Sequence, residues 1–368
     1  MTAAENRRGT DGMNDLGIQA SDRAAKSSYL VFQYRGLDVL AVPDKSKDVC
    51  LAGLKKFHAY TARRKVYRTL LSCLIRCGVA RMVALNRAVP VEKHFGVDFK
   101  AWQAHLESSL GRPIPHIVAV WPAEAWRRRL YVHLLDADLQ AFGFVKLTFR
   151  SNDRANLRAE AQALEYLSLR PLPTVRVPKL LDHGTFGDVN YLIMNPLPKH
   201  VEPLGLTPDW NISTLTAEYS GPSNPLRGTE ILQSSWWPNY AANLLQEHQG
   251  FHQELMRLLP LGTEVCRVHG DLGLGNMLRD GDCTWIFDWE CYHSGAPVLV
   301  DKVGFFMSFT VARMPRHPKT YLDRFNDHFS THKSEQRRLA VMLAIAYRHA
   351  CAVPDAARLM KIWGQDAS

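Results

Sequence analysis

The chain reads as an α+β protein of two lobes, an N-terminal antiparallel-sheet lobe followed by a mainly helical lobe, with an added segment in front. Three observations lead there. Period-two apolar runs crowd into residues 116–149 and 189–194, and helical spacing dominates beyond residue 197. With 368 residues, 46% of them hydrophobic, the chain holds core enough for two or three domains.

Taken in order, residues 1–26 are polar and without apolar periodicity, which predicts a disordered tail. An added module is expected over 27–100. Tyr29 to Tyr34 and Asp38 to Val42 flank Arg35-Gly36-Leu37 and read as a hairpin. From Val49 to Leu85, Leu51, Leu54 and Phe57, then Tyr67, Leu70, Leu71 and Leu74, recur at helical spacing. Lys55, Lys56, Arg63, Arg64, Lys65 and Arg68 lie between them. This basic side reads first as a solvated face and second as a face for a membrane surface or another anionic partner.

The strand-rich lobe is expected over 101–197. After a short helix at Phe99 to Leu110, strands are predicted at His116 to Trp121, Leu130 to Leu135 and Phe142 to Phe149, neighbours in one antiparallel sheet. Asn156 to Leu169 reads as an amphipathic helix, with Leu157, Ala161, Leu164 and Leu167 on one side. Pro171, Pro173 and Pro178 end it before a last strand, Val189 to Met194. The remainder, 198–368, reads as helical apart from a strand pair at Cys266 to Val268 and Trp285 to Phe287.

Composition excludes some functions. The first residues hold no signal-peptide core, and runs such as Leu70 to Ile75 are too short to span a bilayer, so a cytoplasmic protein without a transmembrane segment is expected. Seven cysteines form no Cys-x-x-Cys pair and read as reduced, mostly buried thiols. The net charge of +9 suits nucleic acid, a membrane surface or phosphorylated anions alike.

One stretch carries chemistry: His269-Gly270-Asp271-Leu272-Gly273-Leu274-Gly275-Asn276, then Ile286-Phe287-Asp288-Trp289-Glu290. Phosphoryl transfer needs a carboxylate to position or deprotonate the acceptor hydroxyl, and oxygen ligands to hold Mg²⁺ against a triphosphate. Both are present here. Four residues separate Asp271 from Asn276, as between the base and the metal-ligand Asn of a kinase catalytic loop.

The stretch resembles the aminoglycoside phosphotransferase and choline kinase group, whose loop reads His-Gly-Asp, four residues, Asn, and later Asp-Trp-Glu. The resemblance covers about Ile117 to Phe309 and implies a protein-kinase-like fold, with a nucleotide-binding lobe over 101–197 and a catalytic, acceptor-binding lobe over 198–368. It implies Asp271 as catalytic base, Asn276 and Asp288 as Mg²⁺ ligands, His269 as support of the loop, and ATP or GTP as co-substrate. Gly143-Phe144-Val145-Lys146-Leu147 resembles the strand whose lysine holds the α- and β-phosphates. Glu160 is its expected partner, with Glu165 as the fallback.

Two features depart from the family. The turn from Pro122 to Arg129 has no glycine for close backbone approach to phosphate. Gly295-Ala296-Pro297 lacks the family's first carboxylate, and Asp301 is expected to cap or brace the following helix.

Trp210, Tyr219, Trp236, Trp237 and Tyr240 read mainly as packing and secondarily as a platform for a sugar ring or cationic head group. From Lys302 to Ser368, basic residues outnumber acidic ones 11 to 5, which disfavours a polycationic acceptor. The expected activity is therefore a small-molecule kinase acting on a sugar or glycan precursor, with no specific nucleic acid as partner. An aminoglycoside or choline-type kinase is the alternative within the class. Outside it stand a catalytically silent scaffold and an anionic-surface-binding protein.

Overall fold

The computed structural model describes residues 29–366 except 58, 60, 88–95, 123–128, 149–150, 206–211 and 315. The expected tail, most of the glycine-free turn and Trp210 lie outside the described residues. β1 (Tyr29–Tyr34) and β2 (Leu37–Pro43) form the hairpin. Its turn sets Arg35 and Gly36 at φ 54° and 77°, the left-handed geometry that matches the twist of paired strands.

β3 (Leu85–Arg87), β4 (His116–Val120), β5 (Leu130–Leu135), β6 (Ala141–Thr148), β8 (Leu180–Phe186) and β9 (Val189–Met194) join the hairpin in one eight-stranded sheet, order β3-β1-β2-β4-β5-β6-β9-β8. The three strands predicted as neighbours are β4, β5 and β6, paired antiparallel. The N-terminal hairpin continues this sheet through Leu40 opposite Val120 and Ala41 opposite Ala119.

Alternation assigns the two sheet faces. Ala41, Ile117, Ala119, Val132, Leu134, Val145 and Leu147 pack with Phe99, Trp102 and Leu106 of the helix Phe99–Leu110. Leu40, Val42, Val118 and Val120 pack on the other face with Cys50, Leu54, Leu71 and Ile75 of the helices Lys47–Leu54 and Ala62–Arg76. Lys146, beside Val145 and Leu147, falls on this second face.

The helical lobe is built around the helix Glu335–Ala350, nearly all of whose inner residues from Leu339 to His349 are buried. Two small sheets flank it. β10 (Glu202–Pro203), β13 (Met277–Asp280), β14 (Cys283–Ile286) and β7 (Val175–Arg176) form one; β11 (Asn224–Leu226), β12 (Thr263–Val268) and β15 (His293–Pro297) form the other. The expected strand pair is thus corrected: Cys266–Val268 lies in the second sheet and Trp285–Ile286 in the first. Period-two runs predict strands but not partners, which tertiary packing chooses.

The thiols are also more open than expected. All seven cysteines are free, but only Cys50 and Cys266 are buried, and Cys73 and Cys77 are exposed. Trp236, Trp237 and Tyr240 belong to the helical core, which leaves no aromatic platform among these three.

Candidate active site

Lys146 is the buried hub between the lobes. Its ammonium, on a residue 5% exposed, donates to Glu160 at 2.7 Å, Asp288 at 2.6 Å and Glu290 at 3.0 Å. Glu160 is fully buried on the helix Ser151–Ser168, whose Leu157, Ala161 and Leu164 dock it under the sheet. Glu165, the fallback, instead bonds His183 at 3.0 Å with its side chain 54% exposed.

The charges balance against burial. Burial alone would lower the Lys146 pKa, but the carboxylates of Asp288, Glu160 and Glu290 outweigh it and hold the proton well above the ordinary range. Burial pushes the Glu160 carboxyl up to about 7, against the pull of Lys146. Asp288 is also desolvated, yet the Lys146 ammonium keeps it well below the usual carboxylate range. Desolvation and a close opposite charge thus compete, and charge wins at Asp288.

Glu290 extends the network. It also accepts a bond from Arg129, a buried side chain that reaches Asp153 at 3.0 Å. In the sequence Glu290 closes the motif with no role marked for it, and Arg129 is one of the turn arginines that read as phosphate ligands or as solvated strand-edge charges. The two lie 161 positions apart, so no local pattern links them.

The loop from His269 to Asn276 is held by three long-range anchors. Asp301, expected to brace its own helix Val300–Thr310, instead accepts the backbone N–H groups of His269 at 2.8 Å and Gly270 at 2.9 Å, and the Tyr219 hydroxyl at 2.9 Å. His269 Nε2 donates to the Phe287 carbonyl at 3.0 Å, and its Nδ1 accepts the Asp271 N–H at 3.2 Å. These partners require the Nε2–H tautomer and tie the loop to the strand end that carries Asp288. Arg348, for which the sequence held no signal, donates to the Gly270 carbonyl at 3.2 Å and to Asp271 at 3.3 Å.

Two backbone positions are steeply constrained. Gly270 sits at φ 89°, and a Cβ there would lie 2.0 Å from the Cys291 carbonyl oxygen. Asp288 adopts φ 68° without being glycine, a left-handed geometry that Asp tolerates better than most residues. Gly270→Ala is expected to cost roughly 3 kcal/mol or more, from strain plus overlap, read as a lowered melting temperature. Asp301→Ala leaves two buried N–H donors and a buried hydroxyl unserved, an expected loss of about 3 kcal/mol on the same measurement. An unchanged melting temperature in Asp301→Ala would show that the loop does not depend on this anchor.

Asp271 itself has a side chain 41% exposed. Its carboxyl is raised from its ordinary value, with desolvation opposed by the pull of Arg348 and His269. Asn276 donates from Nδ2 to the Asp271 carbonyl at 2.9 Å, which leaves its Oδ1 as an oxygen donor beside the same loop. Carboxylate oxygens of Glu160, Asp288 and Glu290 lie within 4.8 Å of one another. Hard oxygen donors at this density suit Mg²⁺. Glu160 is shut away by burial, whereas the Asp288 side chain is 36% exposed.

Residues 216–331, about a third of the chain, match the family model described as the phosphotransferase enzyme family, APH. The match runs beyond the expected limit at Phe309 and does not take in the sheet lobe. No curated protein sequence matches the chain. Among solved structures, a thermostable mutant of aminoglycoside phosphotransferase APH(4)-Ia with ADP and hygromycin B is 12% identical at TM-score 0.44, covering 72% of this chain and 95% of that one. A protein named as a fructosamine-3-kinase from Haemophilus somnus 129PT is 15% identical at TM-score 0.43, covering 74% and 98%. Spectinomycin phosphotransferase APH(9)-Ia, in complex with ADP and spectinomycin, is 14% identical at TM-score 0.38, covering 73% and 99%.

Proposed function

We propose that this protein is a small-molecule kinase moving the terminal phosphoryl group of ATP or GTP to a hydroxyl, a reading supported by the match of residues 216–331 to the phosphotransferase enzyme family model. One observation supports it above the others: Lys146 of the sheet lobe and Asp288 of the helical lobe meet at 2.6 Å, next to a braced loop that presents Asp271. A triphosphate lying between the lobes reaches both.

In this reading Lys146 holds the α- and β-phosphates and Glu160 orients its ammonium. Asn276 and Asp288 would hold Mg²⁺, which would supply neutralisation of the triphosphate charge. The acceptor hydroxyl gives its proton to the Asp271 carboxylate while its oxygen takes the terminal phosphoryl group, and nucleoside diphosphate leaves. His269 and Arg348 keep the carboxylate in place.

The acceptor class proposed is a sugar or glycan precursor, supported by the basic surplus of the last 67 residues. The test is a panel of sugars, amino alcohols and aminoglycosides, scored for acceptor-stimulated nucleotide consumption with Mg²⁺. Stimulation by neutral or anionic sugars is expected. Stimulation by aminoglycosides alone would overturn the acceptor class, and no stimulation together with no Mg²⁺-dependent nucleotide binding would overturn the kinase reading.

A further inference from the structure

Residues 44–81 hold ten basic side chains against two acidic ones, a net +8 out of the whole chain's +9. This surplus is packed into one short segment, outside the strands and loop that build the site, and is larger than the +6 of residues 302–368. Packing decides where it faces. The helix Ala62–Arg76 docks on the sheet through Leu71 and Ile75, 3% and 2% exposed. At 3.6 residues per turn, Val66, Leu70, Cys73 and Cys77 fall in a row on its opposite side. There Val66 is 70% and Leu70 54% exposed; Met82 at 84% and Val83 at 51% are exposed on the short helix Ala80–Val83 that follows. Arg63 lies at one edge of the row and Lys65 and Arg76 at the other, all three exposed, whereas Arg68 falls in line with Leu71 and Ile75.

We infer that this face docks on an anionic lipid bilayer, with the apolar row entering the headgroup boundary and the cations meeting lipid phosphate and carboxylate groups. The pairing of the two features selects the partner. A nucleic acid would satisfy the cations but leave the row of Val66 and Leu70 in water, whereas a bilayer surface takes up both. A second copy of the chain would set +8 against +8, a like-charge contact that opposes association. Residues 1–28 carry four basic and four acidic side chains, so they bring no compensating charge. The inference stands apart from the kinase reading, since it uses none of the site residues. It turns the secondary reading of the basic side into a specific surface, because the structure adds an exposed apolar row to the charge.

Full-length protein is sedimented with vesicles of phosphatidylcholine alone and of phosphatidylcholine with phosphatidylserine. Binding is expected only in the second case and should fall steeply as salt is raised. The double variant Arg63→Glu/Lys65→Glu, one cation at each edge of the apolar row, should lose about tenfold or more in partitioning, from reversed charge at the surface. Val66→Glu/Leu70→Glu should lose about tenfold as well, through the apolar row, with an unchanged melting temperature because both side chains are exposed. Equal binding to both vesicle types, or to neither, overturns the inference. So does binding that duplex RNA displaces and Val66→Glu/Leu70→Glu leaves intact, which would assign the face to nucleic acid. A concentration-dependent dimer abolished by the same apolar variant would assign it to self-association.

Discussion

Asp271→Asn is expected to lower turnover by about 10²-fold or more while nucleotide affinity stays close to that of the unaltered protein. The substitution keeps the shape and removes the proton acceptor. Arg348 retains Asp355 at 3.2 Å, so the loop keeps its buried guanidinium anchor. Asp288→Asn should behave differently. It removes the carboxylate closest to Lys146 and an anionic oxygen from the proposed Mg²⁺ pair, so Mg²⁺-dependent nucleotide binding should weaken along with turnover. Nucleotide affinity measured with and without Mg²⁺ for both variants separates the roles. Loss of Mg²⁺-dependent binding in Asp271→Asn with retention in Asp288→Asn would reverse the assignment, and unchanged turnover in both would remove the motif from the chemistry.

Lys146→Met should cost both binding and stability, and the stability loss should depend on pH. The methionine fills the space but leaves Glu160, Asp288 and Glu290 without the ammonium that all three contact. Breaking a buried pair in this way costs about 3–5 kcal/mol when the remaining charge stays ionised. Glu160 escapes that cost by taking a proton. Its folded-state pKa is already about 7, above the ordinary value, and loss of Lys146 raises it further. A group raised in the folded state contributes stability below its unfolded pKa and loses it as pH rises through the folded one. The gap in unfolding free energy between Lys146→Met and the unaltered protein should therefore carry a part already present at pH 5, from Asp288 and Glu290, and widen toward pH 8 as Glu160 is asked to ionise. A gap that stays constant across that range would show that Glu160 is not the group left unpaired. Triphosphate binding should fall in the same variant at every pH, because the proposed phosphate anchor is gone.

Much of the architecture is local enough to be written in residue order. The Arg35-Gly36 turn, the period-two runs of β4, β5 and β6, and the apolar stripe of the helix carrying Glu160 each arise within a few residues, where backbone sterics and burial of one face leave few alternatives. The Lys146 to Glu160 pair was legible for the same reason, with strand and helix adjoining in the chain and only 14 positions between them. The loop motif was legible because its spacing is short and its residue types are chemically demanding.

Tertiary structure decided the rest, and the reason is sequence distance. Arg129 meets Glu290 across 161 positions and Arg348 meets Asp271 across 77, contacts that no periodicity encodes. Asp301 turned toward the loop because two buried N–H groups there needed an acceptor, a requirement that exists only once the lobe has folded. Strand partners were likewise open until packing chose them, so Cys266–Val268 and Trp285–Ile286 entered different sheets and the N-terminal hairpin extended the large one. Residue types and short spacings thus pointed to the chemistry proposed for the chain. Burial, which creates the demand for partners, settled how that chemistry is held and which face of the basic helix was left to solvent.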